Sequence, residues 1–308
     1  MDRGGAFIGK LIAIAALLFA TAAPRGDAPP AFEQLRWTAP GAARTLLSEQ
    51  PATCLAANND MVRSGRALFG TPTLLGGQAA KAGLSCASCH INGRDNPHFL
   101  LAGVSAAPGT ADVTNSFFSA ARGNGLFDPV LIPDLARPGK VARDPEARAL
   151  EAFIRNLIVE EFGGQEPTPA MLAALAAYVR AVRSCPGEPK VARRLGDQLA
   201  AIADGAAGAQ LMIGRGDRQG ARLSIAAMRH QLGLVAERYA GPGFARDRAA
   251  LLAGSRQLQA IGDIADVGQM RLAIDRWTLG FETGLAQRLR RAEARSLYDP
   301  THLDRALR

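Results

Sequence analysis

Residues 83 to 145 constrain the fold more than any other stretch, because they are long and show no helical or strand periodicity. Gly, Pro, Asn and Asp are frequent there, and the apolar runs between them are short. These residues favour turns and loops, yet a structureless connection of this length is uncommon in a compact domain. Hydrophobic residues make up 48% of the chain, so it can bury a core. We therefore predict that this stretch wraps around something other than its own side chains.

One short motif lies near the start of this stretch, Cys86-Ala87-Ser88-Cys89-His90. Two thiols separated by two residues can add to the two vinyl groups of one haem, and the histidine that follows then lies beneath the iron as an axial ligand. The motif therefore predicts one covalent haem c, anchored by Cys86 and Cys89 and ligated by His90. An apolar haem would also supply the core that the surrounding stretch lacks.

Two other kinds of site use paired cysteines. A zinc site needs a second close pair of ligands, whereas Cys54 and Cys185 are isolated in the sequence. A thioredoxin-like dithiol lies next to a βαβ pattern, which this sequence does not contain. Both alternatives stay open at this point, but a c-type haem fits the motif better.

Helices are predicted on both sides of the irregular stretch. One covers residues 56 to 69, and a second covers 146 to 162, where apolar residues repeat at helical spacing. A third begins at Thr168 as N-cap, with Pro169 at the first helical position, and ends at Cys185. The apolar stripe of the second helix consists of Leu150, Phe153, Ile154, Leu157 and Ile158.

The composition changes after residues 186 to 189 and becomes rich in Ala, Arg, Leu and Gln, which favour helices. No segment of the chain shows the alternation expected of a strand. Residues 190 to 308 are therefore predicted to form an antiparallel helical bundle, and the whole fold to be all-α. Its helices are predicted at residues 190–205, 219–239, 244–261 and 266–297.

The motif and its neighbours resemble a bacterial c-type cytochrome domain. The resemblance rests on Gly65-Arg66-Ala67-Leu68-Phe69, Gly83-Leu84-Ser85, CASCHINGR and the closing-helix segment Leu175 to Arg180. The long insertion and the segment Thr114 to Phe118 are more similar to the haem domains of the di-haem cytochrome c peroxidase and MauG-like group. That group carries two CxxCH motifs and its peroxidase chemistry uses both haems, whereas this chain has one motif.

The resemblance implies a cytochrome c-like haem domain over residues 51–186, with the role of the bundle after it unassigned. Cys54 and Cys185 bracket this domain. Because the opening and closing helices of the cytochrome c fold pack together, the resemblance also implies a disulfide between these two cysteines, in a compartment that permits one. Two free and unrelated thiols are the alternative.

The second axial ligand distinguishes an electron carrier from a haem that binds or transforms small molecules. His98 lies in the loop after the motif, where the peroxidase-like group has a histidine in a comparable, more distant loop. Met171 is an alternative, although it lies in the first turn of the closing helix, where methionine is more often part of the core. Met61 and His230 are weaker candidates, and an open position remains a further alternative.

The formal charge is +8, and residues 186–308 contribute +6 of it, with 19 Lys and Arg against 13 Asp and Glu. A basic surface attracts an acidic redox partner or an anionic membrane surface, although a solvated helix face explains it as well. Nucleic acid is not expected as a partner of an exported chain. Arg94 and Arg122 lie in the irregular stretch and are candidates to meet haem propionates.

The N-terminus has the features of an export signal. Arg3 and Lys10 form a positive region before the apolar run from Leu11 to Ala20, and an A-x-A site predicts cleavage near Ala22. We therefore expect a signal peptide over residues 1–22, a weakly patterned lead-in over residues 23–50 and a periplasmic mature protein. Membrane association would need a partner or a retained N-terminal anchor.

Together these features predict a periplasmic mono-haem c-type cytochrome that transfers single electrons, rather than an enzyme. Three alternatives stay open: a peroxidase-like or MauG-like enzyme component with an open distal site, a haem-based sensor or binding module, and a structural subunit of a respiratory complex.

Overall fold

The computed structural model describes residues 31–118 and 123–308. The predicted signal peptide, its cleavage site near Ala22 and Arg122 lie outside the described residues. The described part is mostly helical with a few short strands, which confirms the mainly helical class. Within it, no helix is both long enough and apolar enough to cross a membrane.

The elements follow one another along the chain with short connections, except between α4 and α5. The α-helices are α1 Ala43–Ser48, α2 Asp60–Phe69, α3 Gly77–Ala82, α4 Cys86–Cys89, α5 Ala149–Asn156, α6 Pro169–Ala181, α7 Leu195–Gly214, α8 Arg218–Arg238, α9 Ala245–Asp263, α10 Val267–Gly280, α11 Ala286–Ala292 and α12 Pro300–Ala306. The strands are β1 Glu49–Pro51, β2 Thr110–Ala111, β3 Val130–Leu131 and β4 Lys190–Ala192.

The N-terminal segment has regular structure where the sequence shows little pattern. A 3₁₀ helix covers Glu33–Trp37, and α1 and β1 follow it. Strand β1 pairs antiparallel with β4, with Gln50 opposite Val191. Strands of three residues are too short for the alternation by which strands are recognised. Pairing with a distant segment therefore orders the part of the chain that the sequence presents as a loose lead-in.

Helices α2 and α6 begin at side-chain caps and pack against each other. The Asn59 side chain accepts a backbone N–H hydrogen bond, so α2 starts later than predicted. Helix α6 starts where the sequence predicts: Thr168 Oγ1 accepts a hydrogen bond from the Met171 N–H at 3.2 Å, and Pro169 occupies the first turn. The helix ends at Ala181, before the predicted end, because the chain then turns towards the N-terminal segment.

Gly65 allows the close approach of these two helices. A side chain at this position would overlap the Ala174 carbonyl of α6 and approach Tyr178 Cβ to 2.8 Å. The glycine is therefore a packing requirement of the α2–α6 crossing.

The stretch between α4 and α5 is irregular, as predicted, apart from a 3₁₀ turn at Ile91–Gly93 and the two-residue strands β2 and β3. The helix predicted over residues 146 to 162 is present as α5, extended by one π-helical turn at Leu157–Glu161. A π turn inserts an extra residue into the helical repeat and often occurs at functional sites.

Helices α7 to α10 form the predicted bundle, with α8 packed against α7 and α9 and with α10 packed against the same two helices. Helix α7 begins at Leu195 rather than at residue 190, because Lys190–Ala192 is strand β4. The last predicted helix, over residues 266 to 297, consists of α10 and α11 joined by a π turn at Phe281–Leu285.

One apolar core runs through the bundle and the region before it. Helices α2, α6, α7 and α8 all contribute fully buried side chains to it, including Leu68, Leu175, Met212 and Met228. Where α2 meets α7, the buried carboxylate of Asp204 accepts hydrogen bonds from Arg63 Nε at 2.9 Å and Arg66 Nε at 2.6 Å. The segment at residues 186–189 therefore joins two parts of one core.

Candidate haem site

The motif begins with one helical turn, α4, which fixes the relative positions of its side chains. The Ser85 N–H donates to Ser88 Oγ at 3.0 Å at the start of the turn. Side chains three positions apart lie on the same side of a helix, so Cys86 and Cys89 face the same way. The His90 N–H donates to the Cys86 carbonyl at 2.9 Å, which holds the histidine directly after the turn. Both thiols are free.

The two thiols and the imidazole lie in the wall of one cavity of about 310 Å³, which we call the haem cavity. This volume is in the range of small-molecule sites. Among the described residues, the other polar side chains of the wall are Ser85 and Lys140. The apolar wall includes Phe69, Leu84, Phe99, Val113, Phe118, Leu135, Leu175 and Val179.

Helix α5 and its π turn supply another side of the haem cavity. All five residues of the apolar stripe predicted from the sequence lie in its wall: Leu150, Phe153, Ile154, Leu157 and Ile158. Phe153 is also 59% exposed to solvent. The stripe therefore lines the cavity as well as packing against the core, which includes Leu150 and Ile158, and the cavity reaches the surface beside Phe153.

The His90 imidazole is neutral in this environment. Burial lowers its pKa to about 4, and the Pro133 carbonyl and the charge of Asp134 oppose this shift only in part. Its buried Nδ1 forms no hydrogen bond of ordinary geometry within the described residues. A neutral imidazole is the form that binds metals, and the nearby Pro133 carbonyl can orient the ring.

The two thiols do not have the properties of a redox pair. Burial raises the pKa of Cys86 and of Cys89 to about 12, whereas reactive cysteines have a lowered pKa. In residues 31–118 and 123–308, no group of three or more His, Cys, Asp or Glu side chains could hold a metal ion. A haem iron needs only one such side chain on each face, so His90 is sufficient on one side.

A strap formed by residues 133–143 runs along the haem cavity and is anchored at both ends. Arg94 Nε donates to Asp134 Oδ1 at 2.8 Å in a buried ion pair near one end. At the other end, Arg143 Nη1 donates to the Arg180 carbonyl at 2.7 Å, close to the end of α6. Arg94 therefore pairs with carboxylates and does not line the cavity. The sequence, in contrast, makes it a candidate to meet a haem propionate.

Lys140 lies between these two anchors and is the one lysine or arginine that residues 31–118 and 123–308 contribute to the cavity wall. It ends a turn in which its N–H donates to the Arg137 carbonyl at 3.4 Å and Gly139 adopts a left-handed φ of +75°. No carboxylate of the described residues forms a salt bridge with it. Sequence reasoning missed Lys140, because Pro138-Gly139 predicts a turn but not the direction of the next side chain.

The candidates for the second axial ligand lie outside the wall of the haem cavity. His98 is half-buried in its loop, where its carbonyl accepts the Ala39 N–H at 2.8 Å. Met171 is 1% exposed and belongs to the core under α6. Met61 packs against the same core, and His230 lines a different cavity beside α8. His90 is thus the one histidine in this wall.

The predicted disulfide is present. Cys54 and Cys185 are bonded, with their Cα atoms 5.4 Å apart. The bond joins the chain just before α2 to the chain just after α6, so it closes the region that contains the haem cavity. It also leaves Cys86 and Cys89 as the cysteines available for haem attachment.

No family model, curated protein or solved structure matches this chain. The functional argument therefore rests on its own residues.

Proposed function

We propose that this chain is a c-type cytochrome that carries single electrons through one covalently attached haem in the periplasm. The supporting observation is the convergence of Cys86, Cys89 and His90 on one mainly apolar cavity. Two free thiols and an adjacent imidazole are the groups that haem c attachment requires. On this proposal, residues 51–186 are a cytochrome c-like haem domain, with α2 as its opening helix and α6 as its closing helix.

Each wall residue has a defined task in this proposal. Cys86 and Cys89 anchor the porphyrin, and His90 binds the iron on one face. The apolar wall excludes water, and Lys140 at the end of its turn meets a propionate. When bound, the haem supplies reversible one-electron chemistry between Fe(III) and Fe(II). The chain itself holds the group, orients its plane and limits solvent access, and these factors set its potential.

The redox partner is expected to dock where the cavity reaches the surface. Phe153 is exposed there, and Val130 of β3, also exposed, lies opposite Ala111 of β2 in the cavity wall. The basic balance of the bundle favours an acidic partner. A periplasmic location rests on the N-terminal sequence.

A second candidate function has one observation in its favour. The wall opposite the motif offers apolar side chains from α5 and its π turn, and neither His98 nor Met171 belongs to the wall. A haem with an open distal position binds small ligands. The second candidate is therefore a peroxidase-like enzyme component or a haem-based sensor.

Spectroscopy of protein produced with haem c attachment machinery tests the proposal. We expect a c-type spectrum whose haem stays bound after denaturation. The double variant Cys86→Ser/Cys89→Ser should lose the covalent haem, whereas the control Cys54→Ser/Cys185→Ser should keep it. Wild-type protein that carries no covalent haem would overturn the proposal.

Carbon monoxide distinguishes the two candidates. A reduced protein that stays low-spin and does not react with CO has two strong axial ligands and is an electron carrier. His98→Ala and Met171→Leu then identify the second ligand by the loss of that low-spin state. High-spin iron that binds CO favours the ligand-binding candidate.

A further inference from the structure

A second cavity of about 340 Å³ lies behind the motif, on the side towards the bundle, and we call it the interface cavity. Its wall comes from several separate parts of the chain. The N-terminal 3₁₀ helix contributes Glu33, the segment around the motif contributes Asn92, α6 contributes Tyr178, the segment before α7 contributes Arg193, and α8 contributes His230. Its volume is in the range of small-molecule sites, and its wall, unlike that of the haem cavity, is rich in polar side chains.

One end of the interface cavity carries a buried cation without a carboxylate. Arg193 is 8% exposed, and its Nε donates to the carbonyls of Leu46 and Glu49 at 2.7 and 3.0 Å. Its Nη1 donates to Gln50 Oε1 at 3.0 Å, and no carboxylate of the described part of the chain pairs with it. Burial lowers the pKa of Arg193 to about 10, so the guanidinium is charged at neutral pH. A guanidinium with free N–H donors is the preferred protein group for a carboxylate.

Another part of the wall carries a carboxylate without a charged partner in contact. The Glu33 carboxylate lies beside His230, whose Nε2 is 3.8 Å from Glu33 Oε1. Burial lowers the pKa of His230 to about 4, so this imidazole is uncharged at neutral pH. The Glu33 N–H donates to Glu237 Oε1 at 3.1 Å, which brings a second carboxyl group nearby. Burial raises the pKa of Glu33 above its ordinary value, and the charge of the exposed Arg36 opposes this shift in part.

Two further charged side chains lie in the wall. Arg66 pairs with Asp204. Asp197 accepts hydrogen bonds from two uncharged groups, Gln50 Nε2 at 2.9 Å and the Arg194 N–H at 3.0 Å, and its charge also acts on Arg193. Tyr178 is fully buried, and its hydroxyl forms no hydrogen bond within the described residues.

We propose that the interface cavity binds a small zwitterion of the amino-acid class, with its carboxylate on Arg193 and its ammonium group on Glu33. Among the described residues, Arg193, Glu33 and Asp197 have no charged side chain within hydrogen-bond distance, and a polar cavity whose wall carries both signs of charge is complementary to a ligand that carries both. Tyr178 and Gln231 supply further hydrogen bonds. This site lies on the other side of the motif from the haem cavity and does not depend on the haem proposal.

Calorimetric titration of the full-length holoprotein tests the proposal. The probes are α-alanine, β-alanine, 4-aminobutyrate and 5-aminopentanoate, which separate the two charges by increasing lengths, with propionate and propylammonium as singly charged comparisons. We expect at least one zwitterion to bind and to raise the melting temperature, as any ligand of the folded state does. It should bind at least about tenfold more tightly than either singly charged probe.

Glu33→Gln should weaken zwitterion binding about tenfold or more, since it removes the partner of the ammonium group. Tyr178→Phe should weaken it less. Glu146→Gln, at an exposed position outside the cavity, should leave it unchanged. The circular dichroism spectrum of each variant shows whether the protein is folded. The proposal is wrong if no zwitterion binds at millimolar concentration, if propionate binds as tightly as the zwitterions, or if Glu33→Gln has the same affinity as Glu146→Gln.

Discussion

Removing the Cys54–Cys185 disulfide should lower the free energy of unfolding substantially. The two cysteines are 131 positions apart in the sequence. In the chain-entropy model, cross-linking a loop of this length removes about 17 cal/mol/K from the unfolded state, or about 5 kcal/mol at 25 °C. That value is comparable with the total stability of many domains.

The disulfide is expected to stabilise the protein mainly by restricting the unfolded chain, because the folded structure does not depend on it to bring the two segments together. Contacts other than the disulfide hold the two ends together in the native state: the Arg183 N–H donates to the Cys54 carbonyl at 2.9 Å, and Leu55 forms a bridge with Val182. Strands β1 and β4 pair nearby. We therefore expect Cys54→Ala/Cys185→Ala to keep the native circular dichroism and haem spectra while losing about 3 to 5 kcal/mol.

Urea unfolding of the holoprotein, followed by circular dichroism and by haem absorbance, measures this loss. The urea dependence should also become steeper, because an unfolded chain without the cross-link exposes more surface. Each single variant should lose about as much as the double variant, since either one opens the loop. A loss below about 1 kcal/mol with an unchanged urea dependence would refute the entropic reasoning.

Three further predictions concern packing, pH and charge. Gly65→Ala should destabilise the protein by about 3 kcal/mol because the added methyl group overlaps α6. Gly233→Ala, with open space around it on α8, should instead stabilise the protein by up to about 1 kcal/mol. Urea unfolding compares the two variants, and equal effects would contradict the packing argument. Burial raises the pKa of Glu237 to about 7 in the folded protein. Between the ordinary pKa of a glutamate and pH 7, the folded state therefore keeps a proton that the unfolded chain releases. The free energy of unfolding of the wild type consequently falls as the pH rises. Glu237→Gln should therefore gain about 1 to 2 kcal/mol relative to wild type between pH 5 and pH 8, and a pH-independent difference in unfolding free energy would show that this carboxyl does not titrate as described. Lys140→Met should lower the midpoint potential of the proposed haem by up to about 60 mV, since a lost positive charge disfavours the reduced form. Spectroelectrochemistry should show no such shift for the control Lys190→Met. Equal shifts in the two variants would place Lys140 away from the haem.

The sequence predicts those parts of the fold that local chemistry determines. Thr168 and Pro169 identify the start of α6, because a cap and a proline act on the residues next to them. The stripe from Leu150 to Ile158 predicts the face of α5 that lines the haem cavity. Cys86, Cys89 and His90 lie together because one helical turn separates them, so their convergence follows from spacing alone.

Features that depend on distant partners are absent from the sequence pattern. Strands β1 and β4 exist because residues far apart in sequence pair over three positions. The position of Lys140 depends on the path of the strap, and the interface cavity depends on how several separate segments meet in space. The π turn at Leu157–Glu161 interrupts a regular helical period, which a periodic pattern cannot indicate. The disulfide was predicted, but only through the resemblance to the cytochrome c fold.

The pairing of β1 with β4 has a consequence for the architecture of the whole chain. The segment that ends at Pro51 and the segment that begins at Lys190 lie side by side, and Phe32 and Leu47 pack with Leu297 and Leu303 near the C-terminus. The N-terminal segment therefore packs with the far end of the chain, and the motif-bearing region lies between two strands that pair. Because α2 of that region packs on α7 within one shared apolar core, the region and the bundle depend on each other for burial. A change that loosens the bundle against α2 is therefore expected to reach the motif as well.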